Sequence, residues 1–323
     1  MSDFQMSLVF FIWNGFNLNS DYYQCPETAA HTVTNEGTFR EHFWGLWFLI
    51  SGVFIMVLYI PCLLAIISND LIKTPAYKTM LVLGINDLLS TLVHSIATGI
   101  LGYFGISFCD FPKTIFCLGC IGYGSWMGCS ITGLTLAVIR ITDMHPEFKL
   151  KWCFEGWRFW IWLGVFWCYG GYAALFTKPI IFFPSHMSWF FDPGVGKDPE
   201  LYINYFHTFN NIMLVLCTAI LYVYLCYLIL RAGTSSLSSM QITTVIQTFF
   251  FCFFHAISAV IYVYMNFFYT SEVLILLGHI SWQISSASIA VVYLTLNRTI
   301  RTKVKYMLCL KSYSQGNQVS AQY

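Results

Sequence analysis

Residues Trp44–Ile67 read WGLWFLISGVFIMVLYIPCLLAII and contain no Asp, Glu, Lys or Arg. An apolar run of about 20 residues is long enough to cross the hydrocarbon core of a bilayer as an α-helix. A membrane β-strand would instead alternate apolar and polar residues over about 10 positions. A helix is expected because it pairs its own backbone N–H and C=O groups where no water is available. This stretch is therefore predicted to be a transmembrane helix.

Runs of similar length and polarity recur along the chain. Together they are 43–67, 79–106, 114–139, 159–177, 206–230, 241–269 and 273–296. The connections between them are short, and none is long enough to form a separate domain. The sequence therefore predicts an all-α membrane protein, a single seven-transmembrane-helix bundle over residues 1–323 with a tail at 297–323.

The composition excludes several classes of protein. Of the 323 residues, 57% are hydrophobic and only 10% are charged. A soluble domain has roughly 45–50% apolar and about 25% charged residues. The chain has too few charges to cover a soluble surface, so a soluble enzyme or a nucleic-acid binder is a poor fit. The net charge of +1 gives no reason to expect a nucleic-acid partner. The expected environment is a lipid bilayer.

The distribution of Lys and Arg predicts the orientation. With the N-terminus outside, twelve of the 16 Lys and Arg residues fall on the inner side and four on the outer side. Cytoplasmic loops carry an excess of these residues. We therefore expect an external N-terminus and a cytoplasmic C-terminus.

Aromatic residues are abundant near the predicted ends of the helices. Trp and Tyr favour the headgroup zone of a bilayer. Trp152, Trp157, Trp160, Trp189 and Phe190 are therefore predicted to be interfacial anchors.

Two interpretations of the N-terminal stretch Leu8–Phe16 stay open: it is either part of a cleaved signal peptide or a retained part of the chain. Its apolar residues are typical of the hydrophobic region of a signal peptide. However, no Lys or Arg precedes it, and no small-residue cleavage site stands out.

Motifs of catalysis and metal binding are missing. No two of the eight His residues are three or four positions apart, and Cys117-x-x-Cys120 has no second pair of the same kind. A Gly-x-Ser-x-Gly motif and a phosphate-binding Gly-rich loop are also missing. We expect no catalytic residue, no metal site and no cofactor, so the chain is predicted not to be an enzyme.

Two of the twelve cysteines are clearly on the side predicted to be oxidising. These are Cys25 and Cys109, and a disulfide between them is predicted because each is the natural partner of the other. Pairing with Cys117, near the outer end of the third run, and two free thiols remain alternatives.

Two ionisable residues stand out within or beside the spans. Asp87 lies deep in the second run. Because a charge there is costly, the side chain should face the bundle and have a partner, as a switch or as a structural acid. Arg140 ends the third run, where it is either a latch to other helices or a positive charge that only orients the span.

The seventh run continues into a basic segment. Apolar residues alternate there with Arg298, Arg301, Lys303 and Lys305 at near-helical spacing. This pattern predicts an amphipathic helix on the inner leaflet. Cys309 at its end is a candidate for palmitoylation.

A set of short motifs resembles a known family. In order they are YIPCL at 59–63, YKTMLVLGIND at 77–87, Thr98-Gly99 with Cys109 and Pro112, Gln241-Ile242 with Gln247, YVYM at 262–265, WQI at 282–284 and YLTLNRTIR at 293–301. Together with seven helices and the basic segment, they resemble the nematode serpentine chemoreceptors, and among these class T of the Srg superfamily of G-protein-coupled receptors.

The resemblance implies a chemosensory receptor in a sensory, ciliary plasma membrane. It would bind a small external ligand and signal through a heterotrimeric G protein. Ligand contacts are then expected in the outer half of the bundle, at His94, Trp126, His207, Asn211, His279, Trp282 and Gln283. The signalling switch would involve Asp87, Arg140, Tyr293 and Asn297.

The sequence departs from the wider receptor pattern in places, and alternatives remain. No acid adjoins Arg140, and the second outer loop, 178–205, has no Cys. A ligand-gated seven-helix channel is one alternative, although such channels with an internal N-terminus conflict with the charge bias. A transporter is the other, although no internal repeat is visible.

Overall fold

The computed structural model describes residues 2–26, 38–68, 70–144, 149–232 and 239–308. Seven long helices occur in these ranges: α1 (Phe39–Ile67), α2 (Pro75–Tyr103), α3 (Pro112–Met144), α4 (Arg158–Phe176), α5 (Tyr205–Ala232), α6 (Ser239–Phe267) and α7 (Glu272–Thr295). The amphipathic helix α8 (Arg298–Leu308) follows. Each long helix begins and ends within a few residues of a predicted run, so the seven-helix fold class is confirmed.

Side chains fix the beginnings of several helices. At α1 the Thr38 Oγ1 accepts a hydrogen bond from the Glu41 N–H, and the Glu41 carboxylate accepts one from the Thr38 N–H. This reciprocal capping satisfies two backbone donors that the first turn of a helix leaves unpaired. At α2 the Thr74 Oγ1 caps the Tyr77 N–H, and Pro75 occupies the first turn, where a missing N–H costs nothing.

The bundle has the polarity of a membrane protein. Six helices, α1 to α5 and α7, are long and apolar enough to cross a membrane, and the described apolar part of α6 is Cys252–Phe267. Apolar side chains cover the outward faces, with Val57 61% and Val223 72% exposed. Polar side chains such as those of Asp87 and Asn211 are fully buried. The outer surface therefore suits hydrocarbon rather than water.

Helix α3 lies in the middle and contacts α2, α4, α5 and α6, while α7 packs against α1. Small residues let α3 and α4 approach closely, since a Cβ added at Gly170 would lie 2.8 Å from the Gly124 carbonyl oxygen. Such close backbone approach is typical of packing between membrane helices.

A β-hairpin covers one end of the bundle, which we call the hairpin end. Strands β1 (Ile181–Phe183) and β2 (Ser188–Phe190) pair antiparallel, with Phe182 opposite Trp189. The sequence did not predict these strands within the second outer loop. Trp189 is 1% exposed, so its predicted role as an interfacial anchor is wrong. The opposite end, which carries α8, is called the tail end.

The N-terminal segment, residues 2–26, folds onto the hairpin end as three short helices, Ser2–Gln5, Leu8–Trp13 and Ser20–Tyr23. Lys178 Nζ lies 3.0 Å from Asp3 Oδ1, and the Tyr202 hydroxyl donates to the Tyr22 carbonyl at 2.5 Å. Burial raises the pKa of Tyr202 to about 12, so this phenol is protonated at neutral pH and can donate. The N-terminal segment and the loop before α5 are therefore tied together.

Candidate functional site

A cavity with an empty volume of about 440 Å³ lies below the β-hairpin, inside the helical bundle. Aromatic side chains dominate its wall, with a few polar groups among them. The lining residues are Tyr123, Trp126, Ile180, Trp189, Phe190, Phe191, His207, Tyr262, Met265, Asn266 and Trp282. None of these described lining residues is Asp, Glu, Lys or Arg. An apolar pocket with a few placed polar groups is typical of a small-molecule site.

The hairpin forms the roof of this cavity and is held by hydrogen bonds. The Trp189 Nε1 donates to Thr98 Oγ1 of α2 at 2.8 Å. The hydroxyls of Ser188 and Tyr262 lie 3.4 Å apart and connect the hairpin to α6. Gly119 of α3 allows the backbone of the roof to approach, because a Cβ there would overlap the Ile180 carbonyl oxygen.

Two tryptophans form the floor of the cavity. The rings of Trp126 and Trp282 meet edge to face with centroids 5.9 Å apart, and His255 stacks on Trp126 at 5.1 Å. The Trp282 Nε1 donates to Ser90 Oγ at 2.9 Å, which joins α7 to α2 directly below the cavity. A shift of the floor would therefore be passed to α2.

One side of the wall is a short polar chain that ends at His207. The Trp126 Nε1 donates to Asn211 Oδ1 at 2.9 Å, and Asn211 Nδ2 lies 3.0 Å from His207 Nε2. The His207 ring packs against Phe191, with centroids 5.0 Å apart, and against Tyr123 at 5.8 Å. This wall joins α3, α5 and the residues after the hairpin.

A second layer of polar side chains lies behind the cavity, between α1, α2 and α7. A π-helical turn at Leu92–Ala97 interrupts α2 and contains His94, whose carbonyl accepts from His279 Nε2 at 2.8 Å. The Gln283 Nε2 donates to Ser95 Oγ and to Ser51 Oγ, each at 2.8 Å. Single π-helical turns in membrane and soluble helices are frequent at functional sites.

The seven residues predicted as ligand contacts divide between these two layers. Trp126, His207 and Trp282 line the cavity. Asn211 supports His207, whereas His94, His279 and Gln283 form the second layer.

The roof residues and Tyr123 were not predicted from the sequence, and neither was the α6 wall, which consists of Tyr262, Met265 and Asn266. The spacing of these three, at positions i, i+3 and i+4, puts them on one face of a helix and was the available signal.

Asp87 lies below the floor and has partners, as its depth in the membrane required. It is fully buried, and its carboxylate accepts from the Tyr59 hydroxyl at 2.7 Å and from Cys129 Sγ at 3.4 Å. These contacts join α2 to α1 and α3. Tyr59 also packs on Tyr293 of α7, with centroids 6.1 Å apart.

A second cavity, of about 420 Å³, opens at the tail end. Its lining includes Arg140 of α3 and Tyr293 of α7. Arg140 Nη2 contacts Met80 Sδ at 3.4 Å. The buried Tyr293 hydroxyl has no hydrogen-bond partner among the described residues. The two cavities thus lie on opposite sides of Asp87.

Asn297 joins the bundle to α8. Its Oδ1 accepts from the Ile300 N–H at 3.1 Å and so caps this helix. Ile300 and Val304 are buried against the bundle, one turn apart. Cys309, the candidate for palmitoylation, lies outside the described residues.

The structure joins Cys25 to Cys109 as a disulfide, with Cα atoms 5.7 Å apart. This bond links the N-terminal segment to the connection between α2 and α3, beside the roof of the cavity. Cys117, the alternative partner, is a free thiol.

The order of the seven helices and the covered cavity define a seven-transmembrane protein with the fold of the G-protein-coupled receptors. The crystal structure of squid rhodopsin has this fold, with a TM-score of 0.59 and 12% identity over 87% of this chain and 90% of that chain. At this identity the likeness concerns the fold alone.

The sequence assigns the chain to a family within this fold. Residues 6–317 match the family described as serpentine type 7TM GPCR chemoreceptor Srt, and the chain belongs to this family. Serpentine receptor class T-55 of Caenorhabditis elegans is 25% identical over 311 residues, which cover 94% of this chain and 84% of that protein.

Proposed function

We propose that this receptor binds a small external molecule in the cavity below the hairpin and signals through a heterotrimeric G protein. The observation that carries the proposal is the aromatic cavity at the hairpin end, separated by the buried Asp87 and its partners from a second cavity at the tail end. The first cavity suits a ligand, and the second suits a cytoplasmic partner that engages Arg140. The family membership supports a chemosensory role.

The proposed orientation places the hairpin end outside and the tail end in the cytosol. The tail end carries α8 with Arg298, Arg301, Lys303 and Lys305, which agrees with the preference of Lys and Arg for the cytoplasmic side. The expected location is the plasma membrane of sensory cilia. Epitope tags at the two termini test the orientation: an N-terminal tag should bind antibody on intact cells, and a cytosolic N-terminus would contradict the proposal.

The proposed coupling path runs from the cavity floor to the tail end. A ligand that displaces Trp282 would strain its hydrogen bond to Ser90, one turn from Asp87. Asp87 holds α1, α2 and α3 together through Tyr59 and Cys129. A ligand acts by binding one arrangement of the helices better than the other. Loosening of these contacts of Asp87 would open the cleft between Arg140 and Tyr293.

The experiment is a G-protein dissociation assay in cells that express the receptor, with a library of small organic molecules. Trp126→Ala should abolish or strongly weaken the response to any active compound, because it removes the cavity floor. Trp167→Ala is the matched control, since Trp167 lies on α4 and is 48% exposed on the outer surface. A ligand-evoked current without G-protein dissociation would favour the channel alternative. Equal losses in both variants would contradict the proposed site.

A further inference from the structure

The amide of Asn211 has only one orientation that satisfies its neighbours. An indole N–H can only donate, so the Trp126 Nε1, at 2.9 Å, requires the Asn211 oxygen on its side. The Asn210 Nδ2 donates to the same oxygen at 3.1 Å. The Asn211 Nδ2 therefore points to His207 Nε2, 3.0 Å away.

This orientation fixes the protonation of His207. Because the amide nitrogen of Asn211 is a donor, His207 Nε2 must accept and carries no proton. The ring is then the neutral tautomer with its proton on Nδ1. Trp126, at the floor of the cavity, thus determines through Asn211 which nitrogen of His207 can donate.

The His207 Nδ1–H has no acceptor in the part of the chain that the structure describes. It is buried and has no hydrogen-bond partner among the described residues. The ring itself is 5% exposed and belongs to the wall of the cavity. The great majority of buried donors in proteins have a hydrogen-bond partner, and a buried donor without one calls for an explanation such as a bound group.

We infer that the receptor takes an uncharged organic molecule with an apolar or aromatic body and a hydrogen-bond-acceptor oxygen, a carbonyl or ether, which pairs with His207 Nδ1–H. This inference rests on the proposed function. The aromatic wall binds the body of the ligand, and the lone donor fixes its orientation.

The lack of charged side chains among the described lining residues disfavours other classes of ligand. A carboxylate would lose its hydration without a Lys or Arg among the described lining residues to compensate. A cation would face the donor N–H of His207 and would find no carboxylate among the described lining residues, although aromatic faces can attract cations. A pure hydrocarbon would leave Nδ1 unpaired.

The test uses isosteric probes on the purified full-length receptor. A series of aryl alkyl ketones that begins with acetophenone is paired with alkenes in which C=CH₂ replaces C=O, beginning with α-methylstyrene. Benzoate is the negatively charged probe, and trimethylphenylammonium is the positively charged probe. Binding is measured as the ligand-induced rise in melting temperature, independently of signalling, and G-protein dissociation is measured in parallel.

Ketones should bind roughly three- to tenfold more tightly than their alkenes, the gain of one neutral hydrogen bond. His207→Gln keeps an acceptor for Asn211 but has no donor at the Nδ1 position, so the ketone preference should disappear while alkene binding persists. His207→Asn offers an amide at the Nδ1 position and should retain part of the preference.

Each outcome separates this inference from the proposed function. Ketone-selective binding without G-protein dissociation would uphold the inference and refute the proposed signalling. Signalling by benzoate, by the ammonium probe or equally by both members of a pair would overturn the inference and leave the receptor function intact. No binding by any member of the ketone series would also overturn it.

Discussion

Removal of the Cys25–Cys109 disulfide should destabilise the hairpin end. The bond closes a loop with a sequence separation of 84 residues. For a loop of this length, the loss of chain entropy in an unfolded soluble chain corresponds to about 4–5 kcal/mol. Here α1 and α2 remain inserted in the membrane when the bundle loosens. Their insertion limits the conformations of the loop even when the disulfide is absent. We therefore expect a smaller loss, about 2–3 kcal/mol.

The assay is thermal melting of the detergent-solubilised receptor. A loss of about 2–3 kcal/mol corresponds to a fall in the melting temperature of roughly 3–5 °C in a chain of this size. Cys25→Ser, Cys109→Ser and the double variant should show the same fall, because any of them breaks one bond. Cys117→Ser is the matched control and should change little. Additive losses, or no loss in the single variants, would refute the pairing.

Three further predictions concern coupling, the roof and the tail. Asp87→Asn should weaken agonist-stimulated G-protein dissociation while surface expression persists, because the amide changes the polar layer between α1, α2 and α3; unchanged signalling would leave Asp87 only a structural role. Trp189→Phe keeps an aromatic side chain, although a smaller one, and removes the donor to Thr98. Agonist dissociation should therefore accelerate several-fold, with about 1 kcal/mol lost with the hydrogen bond of the roof; an unchanged dissociation rate would mean that the roof does not retain the ligand. Cys309→Ser should abolish palmitate incorporation measured by acyl exchange, whereas Cys153→Ser should not, and persistent labelling of the Cys309 variant would contradict the site.

The helices were predictable because the hydrophobic effect dominates their placement. Runs such as Trp44–Ile67 have no stable position except inside a bilayer, so their number and limits follow from composition. The polar residues within them, among them Asp87 and His207, were predictable as inward-facing for the same reason. Trp126 and Trp282, predicted as ligand contacts, do line the cavity below the hairpin, and their contact with a ligand stays a prediction.

The roof was not predictable, because its two strands are only three residues long. Ile181–Phe183 and Ser188–Phe190 are too short for an alternating pattern, and their pairing depends on contacts with α2 and α6. Trp189 was assigned to the headgroup zone by its position near a helix end, but tertiary packing buries it. The π-helical turn at Leu92–Ala97 has no sequence signal of its own.

The most direct test of the account is a cryo-electron microscopy map of the receptor bound to an agonist from the screen and to a G protein. The account predicts ligand density between Trp126, His207 and Trp282, below the hairpin, and the G protein at the tail end beside Arg140. Agonist density on the lipid-facing surface or in the tail-end cavity, with the hairpin-end cavity empty, would contradict it.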